Sequence, residues 1–403
     1  MSLSFYTVLT GLHAFTEQLS VISDNLSNSE TTAYKSNGIS FAEVLNNAMS
    51  TNVTDSVGNG VTVQDTTASW TQGSLSSTGN SNNLAITGRG FFVVTDASGT
   101  TYYTRDGEFQ YDSNENLVTA TGLYVQGYKI NDDGSLGSLS DINLSSSESI
   151  QATASSEITA SINLNSASAT GDTYSATINT YDSLGNEVPV TIAFTKSASN
   201  TWTWTASIDS ATGTASGNGT LTFDSSGALE SGTNPTITLT LSNGATTPQT
   251  ITWNLYGSSG STNGDVTQNA SSSSLSSQST DGTTSGSLNS ISVDKNGVIT
   301  GTYSNGETKK LFEVALADFS NYEGLKKTGN SLYVESSTSG TATLGVAGSN
   351  QFGTLTSGSL ETSNVDTATE MANMIVAQRA YEACARMFTV ESEILQTTTN
   401  MGK

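Results

Sequence analysis

The sequence predicts a mainly β protein: antiparallel β domains carried on a stalk of N- and C-terminal α-helices that form a coiled-coil-like inner layer. Three observations predict it. Near the start, apolar residues recur alternately three and four apart, at Phe5, Val8, Leu12, Phe15, Leu19, Ile22 and Leu26, which sets them in one stripe of a helix. Near the end, Ser363-Asn364-Val365-Asp366 reads as a capping box opening a run without Gly or Pro to about Thr397. Between them, most of the chain alternates with period two and breaks at Gly- and Asn-rich turns.

The second helix carries a wider apolar surface than the first. Met371, Met374, Tyr381, Phe388 and Leu395 fall on one seam, and Val376, Ala380, Ala383, Met387, Val390 and Ile394 on an adjoining one; Ile375 is also expected to face a partner helix. Two adjoining apolar faces call for more than one neighbour. The economical arrangement brings first and last helices together, with the middle of the chain as a long excursion. The apolar gain of the first seam falls short of the entropy lost in ordering its helix. The ends are therefore expected to be loose in a single copy and ordered among neighbouring copies; an ordinary intramolecular helical hairpin is the alternative.

Composition narrows the function. Of 403 residues only 12% are charged, about half the usual ~25%, and Ser, Thr, Gly and Asn fill the difference. A net charge of −23 offers no basic stripe for nucleic acid and no attraction to anionic lipid. No apolar run has the length of a membrane span, so no membrane insertion is expected, and no cleavable signal is visible. The single cysteine, Cys384, excludes an internal disulfide and reads as a small core residue of the second helix.

Along the chain, residues 1–30 and 363–403 form the helical part. Residues 31–69 are polar, with one short amphipathic segment around Ile39, Phe41, Val44 and Leu45, and read as a connector. Residues 70–144 show short strands and tight turns, with Asp106-Gly107 and Asp133-Gly134 as hairpin signals. Residues 145–287 alternate more regularly. Tyr174, Ala176, Ile178 and Thr180 share a face, as do Val188, Val190, Ile192 and Phe194, and Trp202, Trp204, Ala206 and Ile208 make a third strand. This is an antiparallel sandwich or barrel, closed by a Ser/Thr-rich tract, 269–287, that reads as a linker. Short strands return over 288–358.

No catalytic, cofactor or metal constellation emerges, and no enzyme is expected. His13 is the only histidine and faces outward, so neither a nucleophile–base pair nor a zinc site can be built. Asp112-Ser113-Asn114-Glu115-Asn116 begins like a calcium loop, but Leu117 and Leu123 occupy its glycine and glutamate positions, and it reads as a hairpin turn. Gly58-x-Gly60 and Gly88-x-Gly90 lack the third glycine and the following helix of a phosphate loop.

Both ends carry a recognisable signature. Gly11-Leu12-His13-Ala14, then Asp24-Asn25-Leu26-Ser27-Asn28-Ser29-Glu30-Thr31-Thr32-Ala33-Tyr34-Lys35, resembles the amino-terminal motif of bacterial flagellar axial proteins, the family of rod, hook and hook-associated subunits. Its motif residues here are Asn25, Asn28, Thr31, Tyr34 and Lys35. Ala33 stands where the family has glycine, which argues against a left-handed turn there. Gly358-x-Leu360-Glu361-x-Ser363-Asn364-Val365-Asp366, Glu370-Met371 and Asn373-Met374-Ile375-x-Ala377-Gln378-Arg379-x-Tyr381 is similar to the carboxy-terminal motif, with Cys384 at a usual asparagine. Gly88-x-Gly90-Phe91-Phe92 and Tyr103-x-Arg105-Asp106-Gly107-x-Phe109 resemble the first body domain of that family.

The resemblance implies that residues 70–144 and 288–358 are two halves of one β body, with 145–287 inserted as an outer domain. It implies a self-assembling structural subunit whose terminal helices line a tube, and the insertion favours the hook branch over the distal rod branch. A secreted adhesin remains the alternative from the Ser/Thr-rich strands alone. The implied partners are further copies of itself, the distal rod protein, a hook cap, a hook–filament junction protein and the flagellar type III export apparatus. The implied location is the extracellular hook.

Overall fold

The computed structural model describes residues 3–45, 58–144, 149–257, 260–349 and 351–401. It divides into two compact units, Met1–Ser145 with Ile291–Gly301 and Lys309–Lys403, and Ser146–Ser290 with Thr302–Thr308. The expected boundary at Ser145 lies outside the described residues.

In the first unit, helix α1 spans Leu3–Ser27 and helix α2 spans Thr367–Met401. They pack antiparallel. The Phe5 and Phe388 rings lie 4.7 Å apart, a Cβ on Gly11 would sit 3.4 Å from Cys384 Sγ, and Asn25 Nδ2 donates to Glu370 Oε1 at 3.3 Å. The two helices thus meet in a hairpin within one chain, the arrangement held as the alternative. A third element adds to its surface. Strands Asn37–Leu45 and Gly58–Ala68 pair antiparallel into a ribbon that lies along α1, and Val61 N–H donates to Thr10 Oγ1 at 3.3 Å. Gly60 is required at this contact, because at φ +96° an added Cβ would lie 2.1 Å from Thr10 Oγ1. Register shifts between Ser40 and Phe41 and between Glu43 and Leu45 break the ribbon's alternation, so the stretch reads as a connector in sequence.

The helix starts differ from the capping-box reading by one turn. Asp366, not Ser363, is the N-cap: its carboxylate accepts from Ala368 N at 2.9 Å and Thr369 N at 3.0 Å, and satisfies donors the first turn leaves free. At the exit of α1 the chain turns through Ala33 at φ +56°. The left-handed turn is present despite the missing glycine. It is held because Ala33 is fully buried and its N–H donates to Glu361 O at 2.8 Å.

The β body interleaves its early and late segments. Strand Phe91–Thr95 pairs with Thr101–Thr104, Tyr124–Ile130 and the late strand Thr308–Asp318. Leu84–Thr87 pairs with Thr354–Ser357, and Leu75–Ser77 with Ser359–Glu361. The core gathers Phe91, Val93, Tyr103, Ala315, Ala317, Phe319 and Tyr333, with Trp70 set against Phe91 at 5.6 Å. Asp133-Gly134 does turn a hairpin, between Tyr124–Ile130 and Leu136–Asp141. Asp106-Gly107 does not, because Thr101–Thr104 and Phe109–Tyr111 pair with other strands. Gly107 serves close approach instead: a Cβ there would lie 1.7 Å from Leu84 O. Asp112–Asn116 closes the hairpin of Phe109–Tyr111 and Leu117–Thr119, its Asp112 carboxylate accepting from Asn114 N at 2.7 Å.

The second unit is a β sandwich. One antiparallel sheet holds Thr173–Tyr181, Glu187–Ala198, Thr201–Ser207 and Asn218–Thr222. The facing sheet is mixed: Glu157–Asn165 runs parallel to Gln249–Trp253 and Val266–Asn269, and antiparallel to Ser274–Thr280. Inward positions of the two sheets meet in one core, where Trp204 and Trp253 cross edge to face at 5.5 Å. The tract expected as a linker supplies strand Ser274–Thr280. Uncharged hydroxyl side chains suit an exposed edge strand, and low complexity masks it. Ile150 bridges to Gly286 and Thr153 to Thr283, so the unit's own entry and exit run side by side.

Candidate assembly site

The motif residues near the two chain ends converge on one polar knot at the base of the helical pair. Asn25 closes α1 onto the ribbon: its Nδ2 donates to Asn37 O and its Oδ1 accepts from Asn37 N, both at 2.8 Å. The Tyr34 hydroxyl donates to Asp24 Oδ2 at 2.9 Å, and burial together with that carboxylate pushes the phenol well above its ordinary range. Asn364 ties in the other end. Its Oδ1 accepts from Ser36 N at 2.7 Å and its Nδ2 donates to Ser69 O at 2.9 Å. Asn28 and Thr31 shape the turn between, Thr31 Oγ1 donating to Asn28 Oδ1 at 3.1 Å.

Beneath this lies a buried charge cluster. Lys35 Nζ sits 2.5 Å from Glu361 Oε1, with the side chains 1% and 0% exposed. Arg105 approaches the other oxygen at 3.4 Å and donates to Gly88 O at 2.8 Å. Lys35 also donates to Thr71 O at 2.8 Å, and Glu361 Oε1 accepts from Gly73 N at 2.9 Å. Burial lowers the Lys35 ammonium below its ordinary value, and Glu361 offsets this only in part. One carboxylate therefore joins the exit of α1, the body and the approach to α2. Glu361 and Arg105 are legible in sequence only as letters of matched motifs; nothing local pairs Lys35 with a partner 326 residues away.

Above the knot, the helices show what they cover and what they leave open. On α1, Ile22 is buried and Phe5, Val8, Leu12, Phe15, Leu19 and Leu26 are half-buried, while Gly11, Ala14 and Asn25 lie deepest. The predicted stripe thus borders the deepest face. On α2, Ala377 is buried and Met374 and Phe388 half-buried, so these face α1. Met371, Ile375, Tyr381 and Leu395 are exposed, with Ile375 at 54%, and so are Val376, Met387, Val390 and Ile394. The single seam drawn through Met371, Met374, Tyr381, Phe388 and Leu395 therefore splits: Tyr381 is exposed although it lies between half-buried Met374 and Phe388, so what each side chain meets, not the spacing, decides its cover. Ser363 accepts from Val365 N at 3.3 Å, Val365 is half-buried, and Gln378 and Arg379 point outward.

Comparison with known proteins identifies the family. Residues 143–283 match the flagellar basal body protein FlaE D2 domain, residues 85–178 the flagellar hook protein FlgE/F/G D1 domain, and residues 356–401 the flagellar basal body rod FlgEFG protein C-terminal region. The chain is 34% identical to the flagellar hook protein FlgE of Salmonella typhimurium over 99% of its length and 100% of that protein's. It is 32% identical to FlgE of Escherichia coli over 99% and 100%, and 31% identical to FlgE of Borreliella burgdorferi over 98% of each. In structure it resembles the Helicobacter pylori flagellar hook protein FlgE2, with a TM-score of 0.53 at 17% identity over 71% of this chain and 100% of that one. With relatives this similar across nearly its whole length and matching segments from body to last helix, the chain belongs to the flagellar hook protein family.

Proposed function

We propose that this protein polymerises through its terminal helices into the curved, flexible tube of the flagellar hook, which passes motor torque to the filament. The observation that carries this is the uncovered apolar surface of α2, from Met371 through Ile375 and Met387 to Ile394, together with exposed Tyr6 and Leu9 on α1. A helical pair with so much apolar surface in water is stabilised by association. Neighbouring copies supply the missing cover, and the helices line an inner tube. The β units lie outside, and their small polar side chains make contacts with few deep anchors, which water can bridge. Outer surfaces then slide during rotation while the inner tube holds.

On this reading the other partners are the distal rod below, a cap during growth and a junction protein above. The type III apparatus exports the chain to the cell exterior. The test is electron microscopy of the purified protein after salt-induced assembly. Curved tubes are expected, with none from Ile375→Asp although its β units melt normally. A lasting monomer, or straight rods only, would contradict the hook reading.

A further inference from the structure

The two helices carry exposed charge as well as apolar surface: an acidic pair on α1, one heptad on from the Thr10 that meets the ribbon, and an arginine pair on α2 that flanks Glu382, in matching spacing. On α1, Glu17 and Asp24 are exposed seven positions apart, two helical turns, on the same side as exposed Tyr6. On α2, Arg379 and Arg386 are exposed seven positions apart, on the same side as exposed Ile375 and Val390. Each pair spans about 10.5 Å along its helix. Among the described residues neither guanidinium forms an ion pair within its own chain, and Glu17 has no cation. Among the described residues the Asp24 carboxylate accepts from the Tyr34 hydroxyl and the Asn28 amide. The helices already pack by their inner faces, with the Gly11 and Cys384 positions in contact, so these outward pairs are turned away from each other.

We propose that Glu17 and Asp24 of one copy dock on Arg379 and Arg386 of the next, and so set the register in which α1 of one subunit crosses α2 of its neighbour. The proposal rests on the reading that copies assemble through these helices. Charge complementarity identifies the occupant. In a chain with 13 basic against 36 acidic residues, most random contacts between copies repel, and an exposed pair of arginines is scarce. Equal spacing lets both ion pairs form together, with apolar residues alongside to exclude water. Such charges steer and align association more than they tighten it.

The test uses full-length protein at the lowest salt that supports wild-type assembly. One variant is Glu17→Lys with Asp24→Asn, which retains an acceptor for Tyr34; the other is Arg379→Glu with Arg386→Glu. Each alone should need roughly tenfold more protein to form tubes, since the first sets a lysine and a neutral amide against the two arginines and the second sets glutamates against Glu17 and Asp24. An equimolar mixture should assemble nearer the wild-type concentration, because in alternating copies one junction regains the wild-type pairs and the other gains an opposite-charge pair at position 17. Wild-type tubes with either variant assembling equally well would overturn the pairing, as would a mixture no better than its parts. Failure of the wild type itself to assemble would instead overturn the reading beneath it. Circular dichroism of each variant checks that the helices persist.

Discussion

Lys35 and Glu361 form a fully buried ion pair at 2.5 Å that fastens the exit of the first helix to the approach of the last. Burying such charges is costly, and they hold only while paired and hydrogen-bonded. Glu361→Gln leaves both Lys35 and Arg105 buried without a carboxylate. It should destabilise the first unit by about 3–5 kcal/mol. Lys35→Met leaves Glu361 still bound to Arg105, and should cost less, about 1–3 kcal/mol. Urea melts of both variants check the order; equal or inverted costs would mean that Glu361 is not the shared anchor.

Ala33 offers a gain rather than a loss. Its φ of +56° costs an alanine more than a glycine, which has no Cβ to strain. Ala33→Gly should stabilise the first unit by about 0.5–1 kcal/mol after the added freedom of the unfolded chain is counted. An unchanged or lower melting temperature would show that the alanine methyl packs too well to lose.

Asp182, in the turn between Thr173–Tyr181 and Glu187–Ala198, should contribute acid sensitivity to the second unit. Burial raises this carboxyl, but hydrogen bonds from Asn186, Asn243 and the backbone amides of Asn186 and Leu184 outweigh it and hold its pKa below 3.8. A depressed folded value gives stability that is present above the unfolded value and lost as pH falls through the folded one. Asp182→Asn should therefore destabilise the second unit by about 1–3 kcal/mol near neutrality. The gap from wild type should narrow below pH ~4. Calorimetry of both proteins across that range would expose a constant gap, which would rule out the ionised carboxylate as the cause.

The bridges of Ile150 to Gly286 and Thr153 to Thr283 bring the second unit's two connections together. Joining Asn143 to Asn289 through a short Gly-Ser bridge should leave the first unit folded. The shortened protein is expected to be exported and to form tubes, but straighter ones that support swimming poorly. Failure to fold would place the boundary elsewhere, and normal curvature would assign hook shape to the first unit or the helices.

Much of this was legible in the sequence where pattern follows local geometry. The three-four spacing from Phe5 to Leu26 marks α1, and strict alternation through Val188–Phe194 and Trp202–Ala206 marks the sandwich core. The ribbon escaped because register shifts break the alternation of its apolar residues, and the strand Ser274–Thr280 because its Ser, Thr and Gln carry almost no hydrophobic period. Lys35 and Asn364 were visible as motif letters. Their joint role was not, since a buried charge is recognisable only once Arg105 and Glu361 are folded against it. The split of the α2 seam depends on which neighbour each side chain meets, and pattern alone assigns no neighbour.

Other copies alone are expected to cover the outward face of α2. Methionine oxidation reads this directly. Met371 and Met387 are 53% and 60% exposed in the single chain, whereas Met374 is half-buried against α1. Under a brief peroxide pulse, sulfoxide should form readily at Met371 and Met387 in monomer. In assembled tubes both should be strongly protected, because burial against a neighbour shuts out the peroxide. Equal oxidation of Met371 and Met387 in monomer and tube would show that this face stays in water, and would contradict assembly through it.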